Sequence, residues 1–240
     1  EGYPVRVNMV DVNTIGAGGG SLVWLDGAGG LHVGPGSAGA DPGPACYGRG
    51  GDRATVTDAN LVLGRLNPNY FLGGQMRLNA SRAVEAVARI GERVGMGVDE
   101  AALSIVQLAN ENMANAIKQI SVQRGYDVTE YTLNCFGGAG GQHACMVADA
   151  LGMRSVFIHP FAGVLSAYGM GLADVRAMRE HAMEIPLEKA AASVLGRTLE
   201  ALETEAVDEI SAQGIAPENT RVEKQAHIRY AGTDTALSVP

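Results

Sequence analysis

Two runs of small residues constrain this chain more than any other feature. Residues 16–21 read Gly-Ala-Gly-Gly-Gly-Ser and residues 137–141 read Gly-Gly-Ala-Gly-Gly. Glycine weakens helix and strand interiors, but it allows a ligand to approach the backbone without meeting a Cβ. We therefore predict a loop at each run, the first glycine loop (residues 16–21) and the second glycine loop (residues 137–141), in a chain that otherwise alternates apolar strands and helices.

The region around the first glycine loop is predicted to be rich in strands. Short β-like runs occupy residues 5–12, 22–25 and 31–33, and the Asp-Gly-Ala-Gly-Gly sequence at 26–30 predicts a hairpin turn between the last two. Residues 34–44 contain too much glycine and proline to predict a regular element.

Apolar residues at three- and four-residue spacing predict the helices, the clearest of which begins at Asp99 and ends before Gly125. Thr57-Asp58 and Ser81 are predicted N-caps. The predicted helices span residues 58–66, 82–95, 99–124, 142–151 and 187–212, and further strands are predicted at 131–136, 155–158 and 222–230. No internal repeat or linker marks a domain boundary.

The second glycine loop is predicted to connect a strand to a helix, and a second strand follows that helix. Free N–H groups at the helix N-terminus suit a phosphate or ribose, although a tight turn would explain the glycines equally well. The amides of the first glycine loop and the Ser21 hydroxyl could bracket a phosphate; the alternative is a flexible turn. Both loops together favour nucleotide binding, and the candidate contacts are Gly18, Gly19, Gly20, Ser21, Gly137, Gly138, Ala139, Gly140 and Gly141.

The established nucleotide fingerprints are absent from both loops. A dinucleotide motif would need glycine where His143 and Ser21 stand, and no G-x-x-x-x-G-K-[ST] sequence occurs. These absences leave a split site built from two separate glycine turns, as in the actin-like and sugar-kinase-like ATPases.

Four longer motifs carry a specific resemblance. Asp11 to Ser21, Gly34 to Gly48, Thr55 to Arg65 and Cys135 to Ala144 closely resemble the hydantoinase A and 5-oxoprolinase family. The Gly-Gly-Gln-His-Ala version of the last motif, with the Arg229 to Asp234 motif, looks closer to 5-oxoprolinases. The resemblance implies an α/β, actin-like ATPase (ribonuclease H-like) fold with a mixed sheet and flanking helices, of which residues 1–240 would be the second part, within a longer chain.

The same resemblance implies ATP-dependent opening of a cyclic amide, either 5-oxoproline or a hydantoin. ATP and Mg²⁺ are the implied cofactors, with the Mg²⁺-positioning motif expected upstream of residue 1, and the isolated segment is expected to be inactive. The implied partners are the small cyclic substrate and either the rest of the chain or a hydantoinase B-type subunit, in a homo- or hetero-oligomer. Two alternatives stay open: a subunit of an ATP-dependent ketone carboxylase, and a non-catalytic assembly module.

The remaining polar residues give fewer functional candidates. His143 is the candidate catalytic residue, as a ligand contact or proton donor, although a histidine that caps or packs locally is the alternative. Asp11 could face metal or nucleotide; Asp58 could do the same, but capping explains it better. Cys46 and Cys145 could be reactive thiols or small buried hydrophobes. No ligand spacing predicts a metal site built by protein side chains.

Composition excludes several classes of protein. A formal net charge of −8 argues against nucleic-acid binding, which needs a basic face. Three cysteines without a C-x-x-C pair argue against a disulfide framework. No apolar run approaches the ~20 residues of a membrane span, and no signal peptide is evident. We therefore expect a cytoplasmic protein.

Overall fold

The computed structural model describes residues 12–233 and 235–240, so the predicted strand at 5–12 lies almost wholly outside the described residues, as do Asp11 and Asp234. The chain divides into two compact units, at residues 1–168 and 169–240. Composition did not mark this boundary, because glycine and proline are no denser there than elsewhere.

The first unit opens with an antiparallel hairpin. Strands β1 (Ser21–Leu25) and β2 (Leu31–Ser37) pair with Trp24 opposite His32. The Asp26 carboxylate shapes the turn by accepting hydrogen bonds from the N–H groups of Ala28 (2.9 Å) and Gly30 (2.8 Å). Residues 34–44 were predicted to contain no regular element. This prediction was wrong for residues 34–37, because β2 continues to Ser37. A strand with a free edge tolerates proline.

Three helices form the main core of this unit: α1 (Val56–Val62), α2 (Ala80–Val94) and α3 (Val98–Ile120). The predicted caps of α1 and α2 were each displaced by two residues, to Thr55 and Asn79, whose side-chain oxygens accept from backbone N–H groups. The helices pack through small and branched side chains that exclude water. The buried cluster contains Val56, Ala59, Ala86, Val87, Ile90, Ala101, Ala102, Ile105, Val106 and Ala109.

Helix α3 confirms the periodicity predicted from the sequence, since its N-terminal apolar residues are buried. It ends four residues earlier than predicted, and a 3-10 turn at Val122–Arg124 continues the chain. Gly125, the predicted C-cap, instead closes that turn with a φ of 84°. Ile120 remains 43% exposed, so the apolar face of the helix extends beyond the part that is buried.

The predicted strand-loop-helix-strand unit is confirmed. Strand β3 (Leu133–Cys135) leads through the second glycine loop into α4 (Ala144–Leu151), and β4 (Val156–Ile158) pairs with β3 in parallel. A second buried cluster lies between α3 and α4 and includes Ala114, Val147 and Leu151. Helix α5 (Leu165–Leu172), which the sequence did not predict, follows.

The second unit contains α6 (Ala191–Ala212) and the antiparallel pair β5 (Ala226–Ile228) and β6 (Leu237–Val239). Its polar contacts are on the surface, where Arg179 pairs with Glu205 and Glu209. The α/β class, with strands of both directions and flanking helices, is confirmed. In the described part of the chain the strands form three two-stranded ladders.

Candidate functional site

The first glycine loop is held closed by its own serine. The Ser21 hydroxyl donates to the carbonyl oxygen of Gly16 (3.1 Å) and accepts from the N–H of Gly18 (2.9 Å), and the residue is 3% exposed. In this structure the hydroxyl therefore braces the loop that precedes β1, and its hydrogen-bonding capacity is used inside the loop.

The N-terminus of α1 anchors the same loop from outside. Both the N–H and the hydroxyl of Thr57 donate to the carbonyl oxygen of Gly19, each at 2.8 Å. A Cβ at Gly19 would lie 2.7 Å from that hydroxyl, and a Cβ at Gly20 would lie 2.8 Å from the Ser37 hydroxyl. A Cβ at residue 19 or 20 would therefore displace a neighbouring hydroxyl group, whereas Gly18 has no described heavy atom within 4 Å of its Cβ position.

The second glycine loop is open where the first is crowded. No described atom outside the adjacent residues lies within 4 Å of the Cβ positions of Gly137, Gly138 and Gly141. Gly140, by contrast, packs against β3, since a Cβ at this residue would lie 2.8 Å from the Cys135 sulfur. The N–H of Gly137 also donates to the carbonyl oxygen of Ala162 (2.8 Å). A ligand can therefore approach this backbone closely.

The structure brings the two loops together, although about 120 residues separate them in the sequence. A Cβ placed on Gly19 would lie 3.7 Å from the Cβ of Ala139, so the two loops lie close together. The nine candidate contact residues therefore belong to two adjacent loops that share one border. Such a pair of glycine turns, with exposed backbone on both sides, fits a phosphate-bearing ligand that backbone N–H groups can contact.

His143 lies two residues after the second glycine loop, at the N-cap position of α4, and is 2% exposed. Its side chain does not cap the helix. Instead, Nδ1 lies 2.7 Å from the side-chain oxygen of Asn110 on α3. Burial lowers the pKa of His143, and the positive charge of Arg65 lowers it further. The imidazole is therefore neutral near pH 7, which disfavours the role of a proton donor.

Asn110 and Arg65 were missed by the sequence analysis. Asn110 is four residues after Val106 and three before Met113, so it occupies the apolar face of the predicted helix. A polar residue at such a position signals a buried hydrogen bond and could have been noticed. Nothing in the local sequence around Arg65 indicates that its charge acts on His143.

A cavity of about 270 Å³ lies beside the second glycine loop. It is bounded by the C-terminal half of α3, by β3 and by the start of α4, and none of its described lining residues carries a charge. Its lining includes Met113, Ile117, Cys135, Gly140, His143 and Val147. The cavity suits an uncharged ring more than an anionic group.

Asp58 has a structural role. It is the third residue of α1 and forms a capping box with Thr55. Its fully buried carboxylate also accepts hydrogen bonds from the backbone N–H groups of Ala45 (3.2 Å) and Cys46 (2.8 Å). Burial, together with this carboxylate, raises the pKa of the Cys46 thiol far above its ordinary range, so Cys46 is an inert core residue, whereas Cys145 is exposed.

Among the other histidines, His32 pairs with a carboxylate on the same hairpin. Its Nε2 lies 2.8 Å from an Asp26 carboxylate oxygen, and its ring stacks on Trp24. Across residues 12–233 and 235–240, no three His, Cys, Asp or Glu side chains are grouped closely enough to hold a metal ion. None of the described helices has the length and apolar character needed to cross a bilayer.

Comparisons with known proteins identify the relatives of this chain. Residues 1–179 match the family model described as Hydantoinase/oxoprolinase. The chain is 40% identical over 242 residues to caprolactamase subunit alpha of Pseudomonas jessenii, covering 99% of this chain and 35% of that protein. It is 38% identical over 255 residues to 5-oxoprolinase 1 of Arabidopsis thaliana, covering 99% of this chain and 20% of the relative.

Among solved structures, the nucleotide-free structure of acetone carboxylase, described with the mechanism of ATP-dependent acetone carboxylation, is similar with a TM-score of 0.78. The identity is 27%, and the match covers 93% of this chain and 33% of the other. The chain thus spans about a fifth to about a third of the proteins that it resembles.

Proposed function

The chain belongs to the hydantoinase/oxoprolinase family, and we propose that it is the nucleotide-binding segment of an ATP-dependent hydrolase that opens cyclic amides. The substrate would be 5-oxoproline, a hydantoin or a related lactam. Residues 1–240 would form the second part of an actin-like ATPase domain, since relatives extend well beyond the matched region.

The observation that carries the proposal is the proximity of the two glycine loops, where a Cβ placed on Gly19 would lie 3.7 Å from the Cβ of Ala139. Within residues 18–21, the backbone N–H groups of Gly19 and Gly20 would hold phosphate, because those of Gly18 and Ser21 donate inside the loop. Residues 137–141 would hold the adenosine side. The open Cβ positions at Gly18, Gly138 and Gly141 fit a group that must touch the backbone. Backbone amides also explain how a chain of net charge −8 can bind an anion.

ATP, when bound, would supply the phosphoryl group that turns a lactam carbonyl oxygen into a leaving group. The residues of this chain would orient the nucleotide and limit the access of water, which are the main contributions of a protein to phosphoryl transfer. Mg²⁺ would be held chiefly by the nucleotide phosphates. His143, neutral and buried, would be a ligand contact at the edge of the second glycine loop.

The test is an assay of ADP release by the full protein with 5-oxoproline, hydantoin and caprolactam. We expect one of these cyclic amides to stimulate ADP release and to yield the ring-opened product in equal amount. Absence of stimulation by any cyclic amide would contradict the proposal. The segment of 240 residues on its own is expected to hydrolyse no ATP.

Ketone carboxylation is the second candidate, because the chain resembles acetone carboxylase with a TM-score of 0.78. It would require bicarbonate, so bicarbonate-dependent consumption of ATP with acetone would replace the lactam proposal. A pure assembly role is the third candidate. It would be favoured if a variant of the full protein with both Gly138→Asp and Gly140→Asp kept the ATP affinity of the parent in calorimetry.

The proposed partners are the cyclic substrate and either the rest of the same polypeptide or a hydantoinase B-type subunit. The name of the Pseudomonas relative, a subunit alpha, supports assembly into a hetero-oligomer. We propose a cytoplasmic location, where ATP is available and thiols stay reduced.

A further inference from the structure

The first glycine loop ends in a β-turn with glycine at both central positions. The N–H of Ser21 donates to the carbonyl oxygen of Gly18 (3.1 Å), which closes the turn around Gly19 and Gly20. Types I and II of such a turn differ in the orientation of the central peptide, and two glycines tolerate either type. Neither central glycine has the left-handed φ that a type II turn requires at its second position. Because the two types are so close for a pair of glycines, contacts outside the turn decide which way the central peptide faces.

Thr57, in the first turn of α1, supplies these contacts. Its N–H and its hydroxyl both donate to the carbonyl oxygen of Gly19, each at 2.8 Å. Thr57 is 6% exposed, so reversal of the peptide would leave two donors with little access to water. Buried donors without an acceptor are costly. The carbonyl of Gly19 is therefore held toward α1 by two hydrogen bonds.

The orientation of this carbonyl determines where the next N–H points. The peptide between Gly19 and Gly20 is trans, so the carbonyl of Gly19 and the N–H of Gly20 point in opposite directions. The N–H of Gly20 consequently points away from α1. The N–H groups of Gly19 and Gly20 have no acceptor among the described residues, and both glycines are partly exposed. These two donors are therefore available to a ligand.

We propose that Thr57 is a positioning residue for a phosphate group: its two donors keep the central peptide in the orientation that presents the N–H of Gly20 to the anion. The inference rests on the proposed function, in which this loop holds a phosphate of ATP. A reversed peptide would present the carbonyl oxygen of Gly19 instead. A carbonyl oxygen only accepts hydrogen bonds, as do the oxygens of an ionised phosphate, so the reversed peptide would repel the ligand.

The test compares the affinity of the full protein for ATP with its affinity for adenosine, which lacks the phosphates. Thr57→Val keeps a branched side chain but replaces the hydroxyl with a methyl group, which removes one donor and crowds the carbonyl oxygen of Gly19. We expect the ATP affinity measured by calorimetry to fall about fivefold, the size of one hydrogen bond. Adenosine affinity should stay unchanged. Thr57→Ser keeps the hydroxyl donor and should bind ATP as tightly as the parent does.

Thr204→Val is the matched control. Thr204 also donates its hydroxyl to a backbone carbonyl oxygen, that of Glu200 (2.9 Å), but it lies on α6, so its loss should change neither affinity. Three results would overturn the inference. They are an unchanged ATP affinity in Thr57→Val, an equal loss of ATP and adenosine affinity in that variant, and an ATP affinity in Thr57→Ser as low as in Thr57→Val.

A crystal structure without nucleotide separates this inference from the proposed function. In the full-length Thr57→Val variant we expect the peptide between Gly19 and Gly20 to turn away from residue 57 in part or all of the molecules. An unchanged peptide would overturn the inference even if the parent hydrolyses ATP. Absence of ATP binding by the parent, with the peptide turned in the variant, would refute the proposed function while confirming that Thr57 sets the orientation of this peptide.

Discussion

In the first glycine loop, side chains press against the backbone, whereas most of the second glycine loop faces open space. Thr57 and Ser37 fill the positions that a Cβ would take at residues 19 and 20. Gly138 and Gly141 have no described atom at that distance. Glycine therefore avoids close contacts with hydroxyl groups in the first loop, whereas in the second loop it lies beside open space, a difference that substitutions can measure.

The largest effect is expected at Asp58. This residue lies in the first turn of α1, next to Thr57, which donates to the first glycine loop. Its buried carboxylate accepts from two donors of Thr55 and from the N–H groups of Ala45 and Cys46. Asp58→Ala would leave buried donors without partners and should lower the free energy of unfolding by about 3–5 kcal/mol. Urea unfolding followed by circular dichroism checks this. The exposed cap variant Asn79→Ala should cost only about 1 kcal/mol, and equal losses would contradict the distinction.

The next effect is a direct contrast inside the first glycine loop. Gly19→Ala forces a Cβ to within 2.7 Å of the Thr57 hydroxyl and should destabilise the protein by about 1–3 kcal/mol. Gly18→Ala meets no described atom within 4 Å and should change stability by less than about 0.5 kcal/mol. Equal melting temperatures for the two variants would show that crowding does not constrain this loop.

In the second glycine loop the expected effect is on binding. Gly138→Ala places a methyl group in open space, so stability should change by less than about 0.5 kcal/mol. On the proposed function, the methyl group would meet the nucleotide and lower ATP affinity about tenfold, or about 1.4 kcal/mol. Calorimetry of the full protein measures the affinity. Strong destabilisation would show that the space beside Gly138 is not open. An unchanged ATP affinity would contradict binding of the nucleotide at this loop.

The smallest effect is a pH dependence at His143. Its pKa in the folded chain is lowered from 6.5, so the unfolded chain binds a proton as pH falls below about 6.5 before the folded chain does. Stability should therefore fall as pH decreases below about 6.5. His143→Gln should remove this part of the pH dependence of the melting temperature, whereas the exposed control His227→Gln should retain it.

The sequence predicted the elements whose pattern is local. Helix α3 followed from its apolar spacing, and the strand-loop-helix unit around residues 131–151 followed from glycines placed between an apolar run and a helix. Helix boundaries were displaced by a few residues because caps compete locally, as Thr55 displaced Thr57 at α1. Continuation of β2 to Ser37 was missed because pairing with β1 outweighed the local preference of glycine and proline.

The site divides in the same way. Both glycine loops and His143 were visible as candidates, because small residues in a run and a polar residue within a motif are local signals. Asn110 and Arg65 were missed because their importance depends on interactions with His143. Asn110 precedes His143 by 33 positions, and Arg65 precedes it by 78 positions. The inert state of Cys46 also depended on burial beside Asp58.

By itself, the sequence determined the α/β class, the positions of the two glycine loops and, through four long motifs, the resemblance to a family. These properties depend on local composition and on the spacing of residues along the chain. The tertiary structure alone decided that Gly19 lies close to Ala139, that the first loop is packed while the second is open, and that Asn110 pairs with a buried His143. Such contacts join distant segments through burial and hydrogen-bond geometry, which no local pattern specifies.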